Sequence, residues 1–230
     1  ASAVNGQANF TAVADGSTVV ITKTGNATFD LATYDSLGDT GLSATLGVVQ
    51  RFDDLPRQAP HGYVAQVQGD QTNNFDDYYV KFEAYDNTNG AGYYRETVAR
   101  DVSPGINNAT MPHELANTGA TTFTFGPIAY KNRLTGDDTT NPQPSFIGKK
   151  INSTFFYSNR FGVLAEDNVI FGVANDNYNF FAKSALTQVD SDPIDLNVSS
   201  VRPVTLFDVL PSPQGLLLFS ERQQFQVYAT

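Results

Sequence analysis

Cysteine and tryptophan are absent from this 230-residue chain, methionine occurs once and histidine only twice. Without cysteine there is no disulfide framework, no thiolate zinc ribbon and no thiol nucleophile. The two histidines, His61 and His113, fall in different predicted segments, and each reads as a hydrogen-bonding or exposed loop residue rather than a catalytic base. Basic side chains are scarce as well: 14 Lys and Arg face 24 Asp and Glu, for a formal net charge of -10. A surface that tracks phosphates needs clustered cations to release counterions, so this balance argues against tight nucleic-acid binding. No apolar run approaches the roughly 20 residues that a membrane-spanning helix requires, and a stretch such as Leu216 to Phe219 is strand-sized. The chain begins Ala1-Ser2-Ala3, with no methionine, basic leader or apolar core of a signal peptide, so it is expected to be a trimmed or internal piece.

Catalytic signatures are missing too. There is no P-loop, no G-x-G-x-x-G, no G-x-S-x-G elbow and no H-E-x-x-H. Carboxylates stand in sequential pairs at Asp53-Asp54, Asp76-Asp77 and Asp137-Asp138. Neighbours on a strand point to opposite faces, so such a pair does not bracket a glycosidic bond; turn and cap carboxylates explain them better. Asp86-Asn-Thr-Asn-Gly90 and Asn175-Asp-Asn177 offer oxygen ligands, but neither continues into a twelve-residue calcium loop. No catalytic, metal-binding or cofactor-binding residue is assigned, and no cofactor is expected.

What is present is period-2 alternation. Ser17 to Thr22 reads as a strand between the turn formers Asp15-Gly16 and Gly25-Asn26. From Gly62 onward Tyr63, Ala65 and Val67 share one face, and after a polar turn around residues 70–74, Val80, Phe82 and Ala84 alternate with Lys81, Glu83 and Tyr85. A second turn at Asp86 to Gly90 leads into Tyr93 to Ala99, which makes an antiparallel meander with one buried face and one wet face. The C-terminal part shows short strands at 155–157, 161–165, 169–174, 206–210, 216–220 and 224–229. The fold class is therefore mainly β with little helix: a meander or sandwich-like domain over residues 1–104, a loop-rich connection over 105–148, and propeller-blade-like strands over 149–230. Acidity is uneven, with 13 acidic and 6 basic side chains in 1–104 against 11 and 8 in 105–230. The 11 Tyr and 17 Phe suit cores and subunit interfaces.

Several short segments occur in an order that carries more than any one of them. Arg51-Phe-Asp-Asp-Leu-Pro56 is followed by Ala59-Pro60-His-Gly62, Tyr78-Tyr-Val-Lys-Phe82 and Ala109-Thr-Met-Pro-His113. Gly136-Asp-Asp-Thr-Thr-Asn-Pro-Gln-Pro-Ser-Phe146, Ile151-Asn152, Phe155-Phe-Tyr-Ser-Asn-Arg-Phe-Gly162, Asn168-Val-Ile170 and Ser191-Asp-Pro-Ile-Asp195 come after. In this order they resemble the tail tubular protein B (tail nozzle) family of short-tailed, podovirus-type phages over about residues 49–230. Residues 1–48 match poorly and read as a variable β module. Tyr94 stands where the family tends to have Trp, and Phe161 where Leu is usual. Family members are considerably longer, so the chain resembles their middle.

The resemblance implies a virion protein that builds a six-fold ring of itself in the lower tail tube, meets an adaptor ring, supports tail fibres and meets DNA only as transiting cargo. It implies a structural subunit and no enzyme. The alternative is a tail module that binds or hydrolyses polysaccharide. Within the matching words, Asp54, Leu55 and Pro56, and Met111, Pro112 and His113, look like turns fixed by proline, with a role in shape. Arg160, in the same word as Gly162, reads either as an ordinary solvated arginine or as a fork onto the carboxylate of Asp192 or Asp195, and Asp192-Pro193-Ile194-Asp195 is expected to turn between blades.

Overall fold

The structure, a computed structural model, describes residues 2–26, 29–38, 41–69 and 77–228; the polar turn expected at 70–74 and the side chain of Asp76 lie outside these residues. Sheet dominates, and α1 (Ser2–Asn5) is a single helical turn. The mainly β class with little helix is as expected. The chain divides into two compact units, Ala1–Arg100 and Asp101–Thr230.

In the first unit, β1 (Phe10–Asp15) and β2 (Thr18–Lys23) form a hairpin whose turn places Gly16 at φ 56°. Next come β3 (Val48–Val49), β4 (Gln58–Pro60), β5 (Val64–Val67), β6 (Tyr78–Ala84) and β7 (Asn89–Thr97), assembled in the order β3-β5-β6-β7-β4. The β6–β7 turn follows from its sequence: Asn87 adopts φ 60°, and the Asp86 carboxylate accepts the Thr88 N–H at 2.9 Å. Val80, Phe82 and Ala84 are buried, as the alternation requires, and pack with Ala65, Val67, Val49, Leu55 and Ala59. Tyr94 joins these clusters. Its ring meets Phe82 edge-on at 5.0 Å, and its hydroxyl donates to the Pro56 carbonyl at 2.8 Å.

The second unit holds a hairpin, β8 (His113–Asn117) and β9 (Phe123–Pro127), and two larger antiparallel sheets. One sheet runs in chain order through β10 (Ile151–Tyr157), β11 (Arg160–Ala165), β12 (Asn168–Phe171) and β13 (Ile194–Asn197). The other is β14 (Leu206–Ser212), β15 (Gly215–Ser220) and β16 (Gln224–Val227). Ser158 and Asn159 at φ 49° and 59° turn β10 into β11, and Glu166 at φ 52° turns β11 into β12.

All six residues of β11 are buried, so this strand is covered on both faces. Phe161, Val163 and Ala165 lie with Ile170 against Met111, Ile128, Tyr130, Phe146 and Phe180. On the other side Leu164, Val169, Phe171 and Phe155 pack on Leu206, Leu216 and Leu218. Each fully buried Leu or Val here contributes roughly 1.5–3 kcal/mol relative to exposure. Residues 105–148, expected as a loop-rich connection, thus do more than connect. They supply Met111, Ile128, Tyr130 and Phe146 to one core and raise the β8–β9 hairpin. Frequent Gly and Pro hide both facts in the sequence, because apolar residues that fill a core from irregular backbone have no period.

Candidate functional site

The segments around Pro56 and Pro112 each follow a short turn and continue in extended backbone. Phe52–Asp54 makes a single 3-10 turn, after which Leu55 enters the core and the Pro56 carbonyl receives Tyr94. Asp54 faces solvent, 3.6 Å from the Arg51 guanidinium. Asn108–Thr110 makes a similar turn, capped by the Asn107 side chain at the Ala109 N–H. Met111 is buried next to it, the Pro112 carbonyl accepts the Tyr130 hydroxyl at 3.1 Å, and His113 opens β8 with its ring stacked on Phe125. Burial first, then the nearby Tyr178 and Glu114, push the Tyr130 hydroxyl up to about 12, which keeps it a hydrogen-bond donor.

Arg160 departs from expectation. Among the described residues its guanidinium donates to no carboxylate; it donates to the backbone carbonyls of Gly172 (2.8 Å), Ser191 (3.2 Å), Asp192 (2.7 Å) and Asp190. The expected partners are engaged elsewhere. Asp192 accepts the Val189 N–H at 2.9 Å and the Lys183 N–H at 3.4 Å, while Asp195 accepts the Ser145 hydroxyl at 2.6 Å and its N–H at 2.8 Å. The reason is geometric. Asp192 folds back to close its own turn, which presents three successive carbonyls to the arginine. Pro193 then starts the approach to β13, where Ile194 is exposed. Gly162 sits opposite Phe155 in the β10–β11 ladder, and a Cβ there would lie 2.2 Å from the Phe155 ring.

A second buried cation escaped the sequence reading. Arg133, with no exposed side-chain surface, donates to the carbonyls of Asp137 (2.9 Å), Asn141 (2.8 Å) and Ser103 (2.7 Å) and to the Asp138 carboxylate at 2.8 Å. Its guanidinium lies 5.9 Å from the Phe181 ring. Asn141 continues the network through the Thr135 carbonyl at 3.0 Å and both backbone groups of Ala182, near 3.1 and 3.0 Å. Burial opposes ionisation of Asp137, but hydrogen bonds from Thr140 and Thr139 outweigh it and hold its carboxyl below the ordinary range. The pair Asp137-Asp138 is therefore consumed by loop structure. Only the Gly136-Asp-Asp turn was visible in the sequence, and nothing local marks Arg133 as internal.

The β8–β9 hairpin is the opposite case. Leu115, Phe123 and Phe125 are 67%, 57% and 74% exposed, and every residue of β8 except Ala116 faces solvent. A two-stranded ribbon gains little stability by itself, and an apolar, unguarded edge is a place for another chain to pair. No Lys or Arg occurs in residues 113–127 to blunt that edge.

The described residues thus combine β-sheets, two buried arginines held largely by backbone carbonyls and an apolar hairpin in solvent. A family model described as bacteriophage nozzle protein matches residues 1–230, so the chain belongs to that family and is a structural component of a phage tail, part of the virion. The match includes residues 1–48, which the sequence words did not tie to the family. Tail tubular protein gp12 of Escherichia phage T7 is 33% identical over 198 residues, which is 86% of this chain and 24% of that protein. The chain spans about a quarter of this relative's length.

Proposed function

We propose that this chain is a segment of a tail-tube subunit that closes a six-fold ring in the lower tail, meets an adaptor ring and tail fibres, and passes DNA without gripping it. The family match over residues 1–230 carries this reading. Net charge -10 supports it, because an acidic surface repels phosphates and lets DNA slide. A ring built head-to-tail needs two different patches on each copy. The exposed Leu115, Phe123 and Phe125 supply one, and the exposed edge strand β13, with Ile194 and Leu196, is suited to be the other. In this reading the subunit is a structural part and no enzyme. Asp54 to Pro56, Met111 to His113, Arg160, Gly162 and Asp192 to Asp195 hold backbone in shape, and β10–β13 and β14–β16 act as successive propeller-like blades.

Light scattering on this chain and on a form extended at both ends tests the reading. The extended form is expected at six times its monomer mass, and Leu115→Ser with Phe125→Ser is expected to return it to monomer. An extended form that stays monomeric at every concentration overturns the ring.

A further inference from the structure

The β10–β11 turn and the turn after β12 enclose an open depression of about 480 Å³, lined by Phe156, Tyr157, Ser158, Asn159, Asn175 and Asn177. Its floor is rigid. The Asn175 N–H donates to the Asn159 carbonyl at 2.8 Å, and Arg160, next in the chain, clamps Gly172 and the 190–192 turn. The side-chain amides of Asn159, Asn175 and Asn177 carry no hydrogen bond to any described residue, so the lining offers free donors and acceptors in pairs. Left-handed backbone, at φ 59° and 60°, gives Asn159 and Asn175 a local reason to be asparagine. Asn177 has no such reason. Phe156 is 56% exposed at the rim, and its ring rests on Phe161 at 5.7 Å.

The chemistry selects a ligand class. No cation lines the depression, which disfavours phosphate or sulfate. No carboxylate lines it either: Asp176, between two of the asparagines, is held by Lys131 at 2.8 Å and Asn179 at 3.3 Å. Amides, a serine hydroxyl and the aromatic side chains of Phe156 and Tyr157 suit a neutral ring bearing hydroxyls on its rim and C–H bonds on its face. We propose that this depression is a binding subsite for a neutral saccharide, with Phe156 stacking on the sugar face and Asn159, Asn175 and Asn177 reading its hydroxyls. The site binds and does not cleave, since it holds no acid and base pair. It stands independently of the ring.

The test is NMR titration of the wild-type chain with glucose, galactose, N-acetylglucosamine and their neutral oligomers up to about four units. The expected result is saturable shifts confined to residues 156–159 and 175–177, including the asparagine side-chain NH2 signals, with dissociation constants in the millimolar range. Affinity that climbs with oligomer length identifies a glycan chain as the ligand, and equal affinity for the monosaccharide identifies a free sugar. Phe156→Ala and Asn177→Ala are each expected to weaken binding about tenfold, while Phe207→Ala, an exposed ring elsewhere, leaves it unchanged. Absence of saturable shifts for every sugar, or shifts that survive Phe156→Ala, overturns the proposal.

Discussion

The five-stranded sheet of the first unit and strand β11 of the second use similar residues to opposite ends. In β6, buried Val80, Phe82 and Ala84 alternate with half-buried Lys81 and Glu83, and the charges that face outward pair weakly, as in the 3.4 Å contact between Lys81 and Glu83. In β11 the alternation is lost because both faces are covered, and even the charged Arg160 is enclosed. A sheet with one wet face tolerates change on that face. A strand walled in on both sides does not, and its charge must be satisfied by backbone carbonyls at fixed positions.

Substitutions separate the two regimes, beginning with the costliest. Arg160→Met takes the guanidinium donor from the carbonyls of Gly172, Asp190 and Asp192, while Ser191 keeps the Ala174 N–H, and urea melts are expected to show a loss on the order of 3 kcal/mol or more. A loss no greater than that of an exposed arginine would mean the cradle relaxes into water and the comparison fails. Gly162→Ala comes next, at about 1–3 kcal/mol, because the new methyl meets the Phe155 ring, which is itself held edge-on by Phe171 at 5.3 Å. Retained stability with an unchanged near-ultraviolet spectrum would show that Phe155 has room to move.

In the first unit, Tyr94→Phe keeps the ring and removes one hydrogen bond to Pro56, for an expected loss of about 1 kcal/mol. Arg51→Ala, at an exposed pair with Asp54, is expected to change stability by less than about 0.5 kcal/mol. If it costs as much as Arg160→Met, burial is not what separates the two arginines. The smallest effect concerns pH. The folded-state pKa of Asp137 is depressed, so its stabilising contribution is present above the ordinary value of 3.8 and is lost as pH falls through the depressed one. Acid melts of Asp137→Asn should therefore show a shallower decline than the parent chain as pH falls from 3.8 through the depressed value.

The first unit was largely legible before any coordinates. Tyr63, Ala65 and Val67 facing one way, and Val80, Phe82 and Ala84 doing so again, define a half-buried sheet, and Asp86 to Gly90 can hardly be anything but a turn. The second unit was legible in its strands and not in its packing. Leu206, Leu216 and Leu218 mark strands, but nothing in their spacing says that they cover the far side of β11. The candidate site was read less well. The turns expected at Asp54 to Pro56 and Met111 to His113 fall earlier, at Phe52–Asp54 and Asn108–Thr110, with Leu55 and Met111 already extended, and Arg160 pairs with neither Asp192 nor Asp195 because both carboxylates satisfy their own neighbourhoods first. Arg133 and the exposed β8–β9 hairpin passed unnoticed.

By itself the sequence determined the β class, the turn at Asp86 to Gly90, the acidic balance and the ordered words that tie the chain to a phage tail family, since each depends on neighbours within a few residues or on totals over the chain. Only the tertiary structure decided which carbonyls surround Arg133 and Arg160, which loops fill the core beside β11, and which aromatic residues stay in water. Those outcomes depend on groups brought together from far apart in the chain, as when Arg160 meets residues 190–192, and no local pattern records such a meeting.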